Sequence, residues 1–246
     1  MKTLPVSIGK LFFLSFFTLL LPMLAAAKKK NRHLHFIARV AEKKLIALEA
    51  AYLYDEMQLK DSGLSEKALQ YALLGYHRLL KQHALQKTDV ISVCDFSQPS
   101  SAKRMYVLDL QNRRVLYRTY VAHGMGSGRE YANSFSNVPD SYKSSLGFYV
   151  TRDTYIGSNG LSLRICGVEK GFNDKANARA IVIHGANYVS ERVLHKYGVM
   201  GTTFGCPAVP EEMASQIIPV LKNGTCFFIF YPSKRYLSAS KMLNGA

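Results

Sequence analysis

The run Arg104-Met-Tyr-Val-Leu-Asp-Leu110, the polar break at Gln111-Asn112 and the run Arg114-Val-Leu-Tyr-Arg-Thr-Tyr-Val121 decide the fold class. Both runs are rich in β-branched and aromatic side chains and have the length of a strand, and the break between them carries turn-forming residues. The segment therefore reads as a β-hairpin. Similar short runs follow it: Gly147-Phe-Tyr-Val-Thr151, Leu161-Ser-Leu-Arg-Ile165, Ala180-Ile-Val-Ile183 and Thr225-Cys-Phe-Phe-Ile-Phe-Tyr231. Clusters of Gly, Asn and Ser separate them, and the best helical pattern among them is Glu211 to Leu221. Residues 88–246 are expected to form one mainly β (α+β) domain.

Toward the N-terminus the periodicity changes. Ile37, Val40, Ala41, Leu45, Leu48 and Tyr52 recur at helical spacing, Asp61-Ser-Gly63 interrupts them, and Leu69, Ala72, Leu73, Tyr76, Leu79 and Leu80 resume it. Residues 28–87 are expected to be a helical extension packed on the β-rich domain. Residues 1–27 combine Lys2 and Lys10, an apolar run from Leu11 to Leu21 and the small residues Ala25-Ala26-Ala27, the three parts of a secretory signal peptide. The apolar run falls short of the roughly 20 residues of a membrane span. Lys28-Lys29-Lys30 directly after it keeps the alternative open, an uncleaved signal acting as a membrane anchor. Export places the chain in the periplasm and argues against a nucleic-acid partner.

Charge names no partner by itself. Thirty-two Lys and Arg against 17 Asp and Glu give +15, a balance that suits nucleic acid, an anionic membrane surface or an anionic wall polymer equally. The 48% hydrophobic content excludes a disordered chain.

Two residue types single out a site. Of the four cysteines, Cys94, Cys166 and Cys226 lie in apolar, β-like surroundings and are expected to be buried free thiols, although export would permit pairing. Cys206 instead stands in Gly201-Thr-Thr-Phe-Gly-Cys-Pro207, a turn. Of seven histidines, His184 ends the apolar run Ala180-Ile-Val-Ile183 and is followed by Gly185, which sets an imidazole at the rim of a sheet. His123, in Val121-Ala-His-Gly124, is its rival. A thiol near its usual pKa of about 8.5 is mostly protonated at neutral pH, and a neighbouring imidazole can take its proton. A Gly before the nucleophile leaves backbone N–H groups open to a developing oxyanion. Gly-Cys-Pro is equally an ordinary turn around a packed thiol.

In order along the chain, Asp95-Phe-Ser-Gln-Pro-Ser100, Val121-Ala-His-Gly124, Phe135-Ser-Asn137, Ser144-Ser-Leu-Gly-Phe-Tyr149, Leu161-Ser-Leu-Arg164, Ala180-Ile-Val-Ile-His-Gly-Ala186, Tyr188-Val-Ser190 and Gly205-Cys-Pro-Ala208 resemble the murein L,D-transpeptidase catalytic domain family. The resemblance implies a β-sandwich or barrel-like catalytic domain acting on peptidoglycan stem peptides in the periplasm, with no metal, cofactor or nucleotide. It implies Cys206 as nucleophile, His184 as base, and the amides of Gly205 and Cys206 at the oxyanion site. Thr203 falls where the family has Ser or Thr, either near the thiolate or holding the turn. Phe204 stands where this subgroup commonly carries Trp, and Thr202 replaces the Arg of its Gly-Arg-Ser-Trp-Gly-Cys pattern. Lys143 or Arg164 would then meet the substrate carboxylate, with Tyr149 and Tyr155 on a substrate-facing strand and lid.

The implied reaction is a thioester on Cys206 with loss of a terminal D-alanine, then attack by a stem amine to give a 3→3 cross-link. Water as acceptor would make an L,D-carboxypeptidase or endopeptidase of the same fold. A catalytically silent, peptidoglycan-binding scaffold is the non-enzymatic alternative. Papain-like peptidases place Cys before His, the reverse of the order here, and no His-Glu-x-x-His pattern supports a zinc peptidase.

Overall fold

A computed structural model describes Leu34 and residues 36–245. Residues 1–27, the basic stretch after them, His33 and His35 lie outside the described residues. No helix among the described residues is long and apolar enough to cross a membrane. The chain divides into two compact units, Met1–Ile46 and Ala47–Ala246. In the first, Leu34 and residues 36–46 are helical.

The second unit opens with helical residues 47–56 (α1), a short turn of helix Leu59–Ser62 (α2) and Glu66–Lys81 (α3). Ser65 starts α3 by accepting a hydrogen bond from the Ala68 amide, which satisfies one of the donors left open in a first turn. The apolar face predicted by Leu69, Ala72, Leu73, Tyr76 and Leu79 is buried and packs against two strands, β1 (Val90–Asp95) and β8 (Cys226–Phe230). Tyr71 stacks on Phe230 with ring centroids 5.8 Å apart. Gly75 lets the helix approach closely, since a Cβ there would meet the Phe148 ring at 2.1 Å.

The remaining strands are β2 (Met105–Asp109), β3 (Arg114–Thr119), β4 (Gly147–Gly157), β5 (Gly160–Gly167), β6 (Val182–Gly185) and β7 (Ala208–Val209). They form one mixed eight-stranded sheet in the order β3-β2-β1-β8-β4-β5-β6-β7. The predicted hairpin is β2–β3, antiparallel with a bulge between Val107 and Leu108. β1 and β8 pair in parallel at the centre, and both are buried along their whole length. That is why Cys-Phe-Phe-Ile-Phe shows no alternation of polar and apolar residues.

The sheet nearly closes on itself. Beyond β3 the chain bridges to the far edge, with the Ala122 amide donating to the Ala208 carbonyl at 2.8 Å and a second bridge between Gly124 and Thr203. The fold expected from the sequence is thus present as a barrel-like sheet. Four further helices surround it: Glu191–Tyr197 (α4), Glu211–Leu221 (α5), Lys234–Ala239 (α6) and Lys241–Asn244 (α7). α5 packs on β5 and β6 and fixes the outer strands.

Candidate active site

β6 and the turn before β7 bring the two expected groups to one face of the sheet. Residues paired across neighbouring strands share a face. Tyr155 pairs with Ser162, Ser162 with His184, and His184 with Ala208, so these four form a row. Arg164 pairs with Val182 in the next row. Cys206 stands two residues ahead of Ala208, which by the period of two returns it to the same face, beside Val182. The sulfur accordingly meets the first part of β6: Sγ donates to the Ala180 carbonyl at 3.7 Å.

His184 is buried and its tautomer is set by the backbone. Nδ1 lies 2.9 Å from the Gly185 carbonyl, an acceptor only, so Nδ1 carries the proton. Nε2 is left as the basic nitrogen and makes no hydrogen bond among the described residues. No buried side-chain nitrogen or oxygen among them lacks a partner, so Nε2 opens toward solvent. His123 is placed quite differently. It is fully buried, its Nδ1 accepts from the Arg104 guanidinium at 2.6 Å and its Nε2–H donates to the Gly128 carbonyl at 3.0 Å. Burial first, and the Arg104 charge second, push its pKa down to about 4, so it is neutral and has no free nitrogen.

Cys206 is half-buried, and all four thiols are unbridged. Burial raises its pKa, opposed by the nearby Val182 amide and the Arg179 guanidinium. The thiol therefore rests neutral, and any reaction through its sulfur needs a base. Alkylation of Cys206 by iodoacetamide, followed by peptide mass mapping, is expected to rise with pH through a midpoint above the ordinary thiol value of about 8.5. Arg179→Gln removes a charge that favours the thiolate and should move that midpoint higher still. A midpoint well below 8.5 would instead indicate a resting thiolate–imidazolium pair.

The turn itself is tightly specified. Gly205 has φ +126°, in the region that side chains avoid, and a Cβ there would lie 2.9 Å from the Lys143 carbonyl and 3.0 Å from Arg179 Nη2. Thr203 Oγ1 donates to the Cys206 carbonyl at 2.7 Å and accepts from the Gly205 amide at 2.9 Å. Thr203 thus holds the turn, and it also occupies one of the two amides expected to face an oxyanion. The Cys206 amide makes no hydrogen bond among the described residues. Phe204 is 71% exposed and its ring lies 4.9 Å from that of Tyr142, giving the turn an aromatic outer edge.

The expected substrate residues separate into two groups. Arg164 and Tyr155 share the face of His184 and Cys206, with the guanidinium 4.3 Å above the Tyr155 ring and ion-paired to Asp153. Tyr149 requires correction: it is fully buried, its hydroxyl is bonded to Ser145 and its ring packs on Phe227, so it meets no substrate. The Gly147-Phe-Tyr-Val pattern is buried on both faces, which local sequence could not reveal. Lys143 is half-buried with Nζ on Ser134 Oγ, and its carbonyl accepts from Arg179. Cys166, expected to be buried, is partly exposed.

Two residues packed on the Gly201–Cys206 segment carry no local sequence signal. Arg179 fell in a stretch taken for loop, yet its guanidinium holds the carbonyls of Ser136 and Lys143 beneath the turn. Tyr188 is half-buried, burial raises its phenol pKa, and its ring lies against Gly201, where a Cβ would meet it at 2.7 Å. Among the described residues no three His, Cys, Asp or Glu side chains converge as a metal would require.

No curated protein sequence matches this chain. Among solved structures it is similar to an L,D-transpeptidase from Mycobacterium smegmatis, with 11% identity over 58% of this chain and a TM-score of 0.36. An L,D-transpeptidase from Mycobacterium tuberculosis gives 14% identity over 58% of each chain and a TM-score of 0.35. The helical cell shape determining protein Pgp2 from Campylobacter jejuni gives 16% identity over 59% of this chain and 48% of its own, with a TM-score of 0.39. The chain spans 59% of the length of the M. smegmatis protein. The sequence from residue 60 to residue 230, which takes in every strand and both groups of the sulfur–imidazole face, matches the L,D-transpeptidase catalytic domain, and the chain belongs to that family.

Proposed function

We propose that the chain is a cysteine acyltransferase acting on peptidoglycan stem peptides, an L,D-transpeptidase whose thioester forms on Cys206. The observation that carries this reading is an unbridged, half-buried thiol on the same sheet face as an imidazole whose basic nitrogen is unengaged.

In the first half-reaction His184 Nε2 takes the thiol proton as Sγ attacks the carbonyl on the L-centre of the third stem residue. The Cys206 amide faces the developing oxyanion, and the imidazolium returns the proton to the departing D-alanine amine. In the second half-reaction an amine of a neighbouring stem replaces the thiolate. Arg164 and Tyr155 supply a cationic and an aromatic surface for the stem. Membership of the family supports the substrate class. A periplasmic site of action is read from the composition of residues 1–27, and a fusion of those residues to alkaline phosphatase tests it: an inactive, cytosolic fusion would remove it.

The decisive experiment incubates the purified chain with a stem tetrapeptide and weighs both protein and products. A protein mass increased by the tripeptide acyl group, together with a cross-linked dimer, is the expected result. Acyl-enzyme with free tripeptide alone would assign the carboxypeptidase instead. An unmodified protein and intact tetrapeptide would favour the silent scaffold.

A further inference from the structure

Where β4 begins and β5 ends, a cavity of about 450 Å³ has neither Cys206 nor His184 in its wall. Residues from 135–138, from 170–175 and from 233–236 enclose it. Phe135, Leu146, Phe172 and Tyr236 give it an apolar floor, and Lys170, Lys175 and Arg235 stand exposed around it. The ion pairs among the described residues leave all three cations out. The one carboxylate of the lining, Asp174, is already engaged: its Oδ1 accepts from Asn137 Nδ2 at 2.8 Å and from the Gly171 amide at 2.6 Å. Like charges set around a concave surface with apolar walls focus their field on whatever enters, and three cations favour an anion.

The walls are tied to one another. Asn137 links the first to the second, since its Oδ1 also accepts from the Lys175 amide at 3.1 Å. The Tyr236 hydroxyl donates at 2.8 Å to Glu169, a buried carboxylate next to Lys170, and so links the third to the second. Phe172 meets the Tyr236 ring edge to face with centroids 5.1 Å apart. A cavity held this way loses little binding energy to its own ordering, and its volume falls in the range of about 300–1,000 Å³ usual for small-ligand sites. The first wall also continues toward the sulfur. The carbonyls of Ser136 and Lys143 both accept from the Arg179 guanidinium, and a Cβ on Gly205 would lie 3.0 Å from Arg179 Nη2. The cavity and the Cys206 turn thus share one support.

Three cations around an apolar floor fit a short peptide that carries more than one carboxylate with small apolar groups between them. We propose that this cavity holds a second peptidoglycan stem by its carboxylates, apart from the sulfur–imidazole face, and tethers the chain to the wall beside the stem that reacts. Arg235 offers the planar fork that binds a carboxylate through two parallel hydrogen bonds, and Lys170 and Lys175 act as point charges for another. Alanine methyl groups meet Phe135 and Phe172. The inference rests on the stem-peptide substrate class of the proposed function and not on thioester formation at Cys206. Holding one stem raises the effective concentration of its neighbours at the sulfur.

The test titrates isotope-labelled Cys206→Ala with the stem tetrapeptide and follows the amide resonances. Val138, Gly171 and Phe172 report on the cavity, and Gly201 and Gly205 on the turn beside the sulfur. Shifts in both sets are expected. Adding Lys170→Gln, Lys175→Gln and Arg235→Gln should weaken the cavity response alone, by about tenfold or more in Kd. Lys60→Gln, Lys67→Gln and Arg152→Gln remove the same charge from exposed positions outside the cavity, and an equal weakening in that control would overturn the site. A tetrapeptide with its carboxylates amidated should bind the cavity at least about tenfold more weakly, and equal binding would overturn recognition of carboxylates. Pyrophosphate that moves the cavity amides at lower concentration than the tetrapeptide would overturn the proposal in favour of a phosphate-bearing polymer. Shifts at Gly201 and Gly205 alone would remove the second stem and leave the proposed function standing, whereas no shift in either set would remove both.

Discussion

Cys206→Ser is expected to fold as the wild-type chain does and to lose the covalent carbapenem adduct that the wild-type thiol is expected to form. The two side chains are nearly isosteric and the site is half-buried, so stability should change little. The chemistry should change greatly, because a hydroxyl is a far weaker nucleophile than a thiol of the same shape. A fall of at least about 10³-fold in adduct formation is expected, the scale on which nucleophile removal acts in enzymes of this logic. The other thiols provide the control. Cys94 and Cys226 are fully buried, and burial raises both of their pKa values far above the ordinary thiol range. Cys166 is partly exposed, and its thiol meets the Gly167 carbonyl. A carbapenem adduct that persists in Cys206→Ser and maps to Cys166 would defeat the assignment.

His184→Ala and His123→Ala should fail in different ways. Removing His184 takes away the one unengaged imidazole that the described residues place on the sulfur's sheet face, and acylation should slow by about 10²–10⁴-fold, the range for a positioned general base. Removing His123 leaves an Arg104 donor and the Gly128 carbonyl without partners in a sealed interior. Each orphaned group costs about 1–3 kcal/mol, visible as a lower denaturant midpoint with the thiol chemistry of the surviving folded protein retained. His123 also sets a pH signature. Its pKa falls from an ordinary 6.5 to about 4 in the fold, so between those values the unfolded chain binds the extra proton. Stability from this group is complete above about 6.5 and is lost as pH drops toward 4. His123→Ala should flatten that slope. Loss of acylation in His123→Ala with full stability would exchange the roles assigned to the two rings.

Much of this architecture can be read in the chain before any coordinates. The β2–β3 hairpin, the strand that ends in His184, the α5 helix and the glycine turn at Cys206 are all local patterns, and each is where its residues imply. What escaped depends on distant partners. Tyr149 sits in a run as β-like as its neighbours, and only the approach of β8 on one side and Ser145 on the other makes it core. Arg179 occupies a Gly-, Asn- and Ala-rich stretch that reads as loop, and its importance comes from carbonyls some 35 to 45 residues earlier in the chain. The Gly205 amide seemed free for an oxyanion because the sequence does not show which way the Thr203 hydroxyl turns. Short helices such as α4, α6 and α7 were missed for a simpler reason: they span at most two turns and lack the length over which helical periodicity becomes visible.

The central position of β8 bears on how the molecule is made. This strand follows all others in chain order, yet it joins β1 on one side to β4 on the other, and without it the ribbons β3-β2-β1 and β4-β5-β6-β7 meet only through the bridges at Ala122 and Gly124. While the chain is still on the ribosome, no arrangement of the earlier strands can complete the core. The nascent polypeptide must remain open until residue 230 has emerged, and a premature stop just before Cys226 would release a sheet with two exposed edges at its centre rather than a slightly shortened protein.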